Sequence, residues 1–315
     1  MSETVNLTAG PSVAILLATY QGQKYLATQL DSLAAQTHTN WQIWASDDRS
    51  TDETLSILES YKNQWPVGRL SIQKGPGKGY VANFLSLVCD AKINADYFSY
   101  ADQDDIWEKD KLERALSFLN TVPADVPALY CGRSKLVDEQ DNQIGLSPLF
   151  TKKPSFANAL MQNLGGGNTM VFNRAARELI REAGQDLILD KHDWWTYLVV
   201  SGCGGHVLYD PEPAIRYRQH STNQIGMNQG WDARIHRIKM LWQGRFRQLN
   251  ELHISALSKV QHLLTEENAL ILQRFKTARK AQLIPRLVNI LQSGVYRQTL
   301  LGNLGLAAAA VFGRL

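Results

Sequence analysis

The strongest constraint on the fold is a regular exchange of apolar runs for helix-spaced patterns over roughly the first hundred residues. SVAILLATY (12–20) is apolar almost without a break, the pattern of a strand buried on both faces. KYLATQLDSLAAQ (24–36) follows with apolar positions at Leu26, Leu30, Leu33 and Ala34, a helical period. WQIWASDD (41–48) reads as a second strand, and Ser50 with Glu53 forms a capping box that opens the helix TDETLSILESYKN. RLSIQ (69–73), a Gly-Pro-Gly turn, the helix YVANFLSLVCDA and the strand DYFSYAD (96–102) continue the rhythm. A βαβαβαβ order predicts a mostly parallel sheet with helices on both faces.

Beyond this point the pattern loosens. ALYCGRSKLVD (128–138) reads as a strand, a loop runs to Pro154, and the glycine-rich GGGNTMVFN occupies 165–173. Helices are expected near Arg174–Ala183 and Asp193–Val200, then short strands at HVLYD and AIRYRQH. After Gly230 the chain turns helical and basic, with 13 Lys and Arg against 4 Asp and Glu from Trp231 onward. The preceding 230 residues hold 20 basic and 26 acidic residues, so a basic tail follows an acidic body. The expected organisation is one α/β domain over 1–230 and a basic helical extension over 231–315.

In open α/β sheets, ligands sit beyond the carboxyl ends of the strands. Three such ends here carry polar residues: Thr19-Tyr20, Asp47-Asp48 and Asp102–Asp105. The last, in FSYADQDDIWEKDKL (98–112), packs three aspartates into four positions directly after an apolar run. That charge density calls for a cation. There is no GxxxxGK[ST], no GxGxxG after the first strand, and Trp107 stands where an EF-hand loop needs glycine. What remains is a DxD arrangement, whose alternating carboxylates can hold Mg2+ or Mn2+ through oxygen and so answer a nucleotide diphosphate. The competing explanation is a solvated acidic loop that initiates the next helix.

The quoted segments VAILLATYQGQKYLATQLDSLAAQT, WQIWASDDRSTDETLSIL, ADQDDIWEKDKL and DKHDWW resemble, in that order and spacing, the inverting glycosyltransferases of family 2 with a GT-A fold. The resemblance spans residues 12–226. DQDDIW, GGGNTMVFNR and YRQHSTNQIG are most similar to the rhamnosyltransferase-like branch of lipopolysaccharide and O-antigen assembly. It implies a Rossmann-like sheet, a nucleotide-sugar half over about 12–105 and an acceptor half over about 106–230. It places the nucleotide base near Thr19, Tyr20 and Asp47, with Lys78 or Asn83 reaching the ribose or phosphates. Asp104 is the first metal ligand and Asp102, which also faces the donor, the second; His220 completes the metal or diphosphate site. Arg216 and Arg218 are candidates to neutralise the diphosphate.

Inverting transfer is a direct displacement in which a carboxylate takes the acceptor hydroxyl's proton. The resemblance gives this role to Asp193, with Asp190 as fallback. The family's usual Glu-Asp pair reads His192-Asp193 here, which removes the second carboxylate. Gly165–Thr169 is expected to form an acceptor-side loop in which backbone approaches substrate closely.

The donor implied is a dTDP- or UDP-sugar, L-rhamnose on dTDP being preferred. The acceptor is a lipid-linked or core saccharide. A catalytically silent sugar-nucleotide or glycan-binding module and a nucleotidyltransferase are the alternatives, the second weakened by ATYQGQKYL, which lacks a basic glycine-rich signature. The three scattered cysteines form no CxxC, and MSETVNLTAGPS lacks signal-peptide character, so a reduced cytoplasmic setting is expected. WDARIHRIKMLWQGRFRQL and LQRFKTARKAQLIPRLVNILQ pair cations with apolar residues at helical spacing. They suggest peripheral contact with the inner membrane's cytoplasmic face, packing on the α/β domain, or a homodimer, rather than nucleic acid.

Overall fold

A computed structural model describes residues 10–220 and 245–315. The end of YRQHSTNQIG and most of WDARIHRIKMLWQGRFRQL lie outside the described residues. The expected alternation is present as β1 (Val13–Thr19), α1 (Leu26–Ala34), β2 (Trp41–Asp47), α2 (Thr54–Gln64), β3 (Leu70–Lys74), α3 (Tyr80–Cys89) and β4 (Tyr97–Ala101). Then come β5 (Ile106–Trp107), α4 (Lys111–Leu119), β6 (Ala128–Gly132), β7 (Lys135–Val137), β8 (Gln143–Leu146) and α5 (Phe156–Ala159). β9 (Val171–Asn173), α6 (Arg174–Ala183), α7 (His192–Gly202), β10 (His206–Asp210) and β11 (Ile215–Arg218) complete the α/β part.

Seven strands form one sheet in the order β10-β6-β9-β4-β1-β2-β3. All its pairings are parallel except those of β9, which runs antiparallel to both β4 and β6. Alternate residues of β1 enter opposite cores. Val13, Ile15 and Leu17 pack with α1, α2 and α4, while Ala14 and Leu16 pack with α3, α6 and α7. Burial on both sides is why this strand is apolar without alternation, each large side chain contributing about 1.5–3 kcal/mol.

Register fixes the site. Thr19 pairs with Asp47, Asp47 with Lys74, and Leu17 with Ala101, the residue before Asp102. The carboxyl ends of β1 to β4 therefore share one edge.

Two local expectations are corrected. ALYCGRSKLVD is two strands: β6 belongs to the large sheet and β7 to a second sheet of order β5-β11-β7-β8. The capping box does not form. α2 has Glu53 at its N-cap without a side-chain bond, Ser50 turns to Asp47, and Asp52 Oδ1 accepts the Thr54 amide at 3.1 Å.

Four helices follow residue 244: Arg245–Leu257, Glu266–Lys280, Leu283–Ser293 and Leu300–Val311. Leu257, Leu272, Phe275, Leu306 and Ala310 bury into the same core as α3, α6 and α7.

Candidate active site

On the donor side, Asp47 is 3% exposed and braces its own turn. It accepts from Thr19 Oγ1 at 3.0 Å, Ser50 N at 2.8 Å and Ser50 Oγ at 2.6 Å. Asp48 acts on the loop after β3, where the amides of Gly77 and Gly79 both donate to its carboxylate. Those glycines have φ of +69° and +89°, the left-handed region that lets both amides turn inward. Tyr20 is exposed, and Gln103 clamps its backbone, accepting from the Tyr20 amide and donating to its carbonyl, both at 2.8 Å. Lys78 lies exposed in the glycine loop. Asn83 is buried and donates to Ser46 O at 2.8 Å, so it supports the floor of this pocket rather than reaching outward.

The DxDD turn forms the centre. Asp102 is raised above the usual carboxylate range by burial and by the neighbouring charges of Asp104 and Asp193. Asp104 Oδ2 lies 2.8 Å from His220 Nε2, and the His220 ring packs on Tyr25 at 5.1 Å. Asp105 turns the other way and is fully buried, accepting from Asn168 Nδ2. Beneath it Lys111, also fully buried, donates to Ser99 Oγ at 3.0 Å and sits 3.2 Å over the Trp107 ring. Burial pulls its ammonium well below the ordinary lysine range, and Asp105 partly opposes that.

Arg218 is anchored at its guanidinium. It is 4% exposed, with its guanidinium bonded to the carbonyls of Asp104 (3.2 Å) and Glu139 (2.9 Å) and stacked on Tyr25 at 4.8 Å. It ties the DxDD turn to the loop after β7. Arg216 likewise pairs with Asp141 and Glu108.

The acceptor side is built at the start of α7. The N-cap is Lys191, so Asp193 lies in the first turn, where the helix dipole favours a carboxylate. Its Oδ2 accepts from Gly167 N at 3.1 Å and its Oδ1 from Trp194 N at 2.6 Å. Each oxygen keeps a further acceptor site for a substrate hydroxyl. His192 is buried, stacked on Phe84 at 4.0 Å and edge-on to Tyr100 at 4.7 Å. Burial pushes its imidazole down to about 4, so at neutral pH it carries no charge and cannot stand in for a second carboxylate. Trp194 and Trp195 are core residues, Trp194 Nε1 donating to Ala159 O at 2.7 Å. Asp190 contributes its carbonyl to the Tyr80 hydroxyl at 3.0 Å.

The structure thus brings together Asp102, Asp104, His220 and Asp193 on one edge, with Thr19, Tyr20 and Asp47 beside them. It adds Gln103 and Asn168, which the sequence reading passed over. Gln103 is the middle letter of the DxD, and that position was the available signal. Among the described residues no group of three metal-ligating side chains converges tightly enough to enclose an ion alone. The donor set of two carboxylates and an imidazole still fits a hard divalent cation that takes its remaining ligands from diphosphate and water.

The Glycosyl transferase family 2 model matches residues 14–183. The dTDP-rhamnosyl transferase RfbG of Shigella flexneri is 32% identical over 249 residues, covering 74% of this chain and 81% of that protein. The uncharacterized glycosyltransferase RP339 of Rickettsia prowazekii (strain Madrid E) is 25% identical over 280 residues, covering 84% of this chain and 80% of that protein. Among solved structures, S. aureus TarS 1-349 matches with a TM-score of 0.53 at 16% identity, over 90% of this chain and 80% of that one. The mannosyltransferase PcManGT from Pyrobaculum calidifontis, solved with GDP-Man and Mn2+, matches at 0.50 and 14% identity, over 96% and 87%. The sheet and the likeness to these solved structures show a GT-A fold. Within that class, the chain belongs to glycosyltransferase family 2.

Proposed function

We propose that this chain is an inverting, metal-dependent rhamnosyltransferase that moves L-rhamnose from dTDP-β-L-rhamnose to a saccharide acceptor on a lipid carrier or lipopolysaccharide core. The observation that carries the reading is geometric: Asp104 and His220 meet at 2.8 Å at the carboxyl end of β4, and Asp193 stands at the start of α7 with both oxygens held by backbone amides. The donor preference is supported by the likeness to the Shigella flexneri dTDP-rhamnosyl transferase.

Thr19, Tyr20 and Asp47 border the nucleotide base, and Asp48 holds the glycine loop under the phosphates. Asp104, Asp102 and His220 would hold Mg2+ or Mn2+. Such a cation, when bound, offsets the charge on the departing diphosphate. Asp193 takes the acceptor hydroxyl's proton as the oxygen attacks the anomeric carbon. The new C–O bond forms opposite the breaking bond to the diphosphate, so configuration inverts. Gly167 and Trp194 fix both Asp193 oxygens by backbone amides, which orients the base before substrate arrives. The setting is the cytoplasm, where sugar nucleotides are found.

Thermal stabilisation by dTDP, UDP, GDP and CDP, each with Mn2+, tests this. The largest shift is expected with dTDP, abolished by EDTA and by Asp104→Ala. A preference for UDP would retain the chemistry and replace rhamnose by a UDP-hexose donor. No shift with any nucleotide would overturn the transferase reading in favour of a silent glycan-binding module.

A further inference from the structure

Between the end of β4 and the start of α4 stand two ionisable side chains that the proposed transfer does not use, Asp105 and Lys111. Both are fully buried. Withdrawing a carboxylate and an ammonium from water is costly, and apolar residues of like volume commonly serve stability as well or better. A fully bonded buried polar network does, however, specify one arrangement of the chain.

Both residues grip the same tight turn, Gly167–Thr169, which precedes β9. Asp105 Oδ2 accepts from Asn168 Nδ2, at the middle of the turn. Lys111 Nζ donates to Ser99 Oγ at 3.0 Å, and Ser99 Oγ donates in turn to Met170 O at 3.0 Å, just past the turn's end. Asn168 Oδ1 lies 2.6 Å from where a Cβ on Gly166 would stand, so glycine there leaves the Asn168 amide its place. At its first residue, the turn presents the Gly167 amide to Asp193 Oδ2 at 3.1 Å. The other oxygen of Asp105 meets the Arg218 amide at 3.4 Å, in the strand that leads to His220.

We infer that Asp105, acting through Asn168, is a positioning residue for transfer: it sets the Gly167 amide against Asp193 and so fixes that carboxylate relative to the DxD turn. Asp104 and Asp105 are neighbours whose carboxylates diverge, one to His220 and the other to Asn168. The path from Asp104 to Asp193 is therefore short, running through the 104–105 peptide, the Asp105–Asn168 bond, the 167–168 peptide and the Gly167–Asp193 bond. Such a path holds two groups in register without either touching the other. The roles of Asp104 and Asp193 in transfer rest on the proposed function; the brace itself does not.

A reciprocal exchange tests the brace. Asn168→Asp sets two carboxylates against each other, and Asn168→Ala removes the donor. Asp105→Asn combined with Asn168→Asp restores an amide-to-carboxylate bond in the opposite sense, and the amide oxygen at 105 still accepts from Arg218 N. Hydrogen exchange of the full chain, read by mass spectrometry without substrate, should quicken in peptides covering Gly167 and Trp194 in both single variants and return to the wild-type rate in the pair. Asn168→Ala only trims a side chain, so it keeps the comparison open if Asn168→Asp fails to fold. Turnover gives the second reading. In Asn168→Ala, kcat for dTDP release from dTDP-L-rhamnose should fall at least about tenfold, since a misplacement of about 1 Å can cost about a hundredfold. The Kd for dTDP in Mn2+ should stay at the wild-type value, and the reciprocal pair should recover kcat. Unchanged exchange in Asn168→Ala, or a pair that exchanges as fast as that variant, would overturn the inference. So would a lowered Tm with wild-type kcat, which would assign Asp105 to stability alone. Exchange restored by the pair in a chain that never releases dTDP would fault the proposed donor and uphold the brace.

Discussion

Replacing Gly167 by alanine should disable turnover while leaving nucleotide binding intact. An added Cβ would lie 2.5 Å from His192 Nε2, 3.1 Å from its Cε1 and 3.4 Å from Asp193 Cβ. Ordinary contact begins near 3.4 Å, so about 0.9 Å must be found. The imidazole has little room to retreat, with Phe84 stacked at 4.0 Å and Tyr100 edge-on at 4.7 Å. Overpacking of this kind costs about 1–3 kcal/mol, or a few degrees of Tm at about 2–4 °C per kcal/mol. If the loop yields instead, its amide leaves Asp193 Oδ2, and a misplacement of about 1 Å in a reacting group can cost about a hundredfold in rate. The assay is a double-mutant cycle in kcat and Tm over Gly167→Ala, His192→Ala and the pair. Removing the ring makes room for the methyl, so the pair should be less impaired than the sum of the singles, by about 1 kcal/mol or more. Wild-type turnover in Gly167→Ala, or simple additivity in the cycle, would refute the reasoning.

Two further outcomes follow from buried groups. His192 and His253 are both pushed down to about 4 by burial, whereas an unfolded chain takes up these protons near 6.5. The unfolded state binds more protons in that window, so stability is complete above about pH 6.5 and declines toward pH 4, by up to about 3 kcal/mol per histidine. Urea midpoints across that range should depend less steeply on pH in His253→Phe, and an unchanged slope would contradict the assignment. Asp48→Ala strips the acceptor from the Gly77 and Gly79 amides. Hydrogen bonds to a charged group are worth about 1.5–3 kcal/mol, so titration calorimetry should give at least about a tenfold weaker Kd for dTDP; an unaltered Kd would remove the loop from the nucleotide site.

The parts of this fold legible in the sequence are those where one physical cause acts alone. Strand β1 could be read because two covered faces demand continuous apolarity. The split of 128–138 could not, since the chain changes sheets at Arg133, whose amide donates to Asp210 O, while every residue stays compatible with strand. Ser50 and Glu53 had the spacing of a capping box, but the Asp47 carboxylate three residues earlier took the hydroxyl. In the candidate site, carboxylates announce themselves by charge, so Asp102, Asp104 and Asp193 could be singled out as candidates from the sequence. The partners of Arg218 were not legible, because its long side chain folds back onto carbonyls from two loops. The fit of His192 against Gly167 depends on backbone approach between segments about 25 residues apart, which no periodicity records. In the tail, cations at helical spacing were visible, whereas the leucines that serve the core could not be told from those left exposed.

The central claim is that a nucleotide-sugar site and the Asp193 base are separate parts of one transfer centre. The most direct measurement compares wild type with Asp193→Asn for dTDP binding in Mn2+ and for dTDP release from dTDP-L-rhamnose, with water as the acceptor of slow hydrolysis. The account predicts unchanged dTDP affinity and a release rate lower by about a hundredfold or more, the usual scale of a lost general base. Release at the wild-type rate would contradict it.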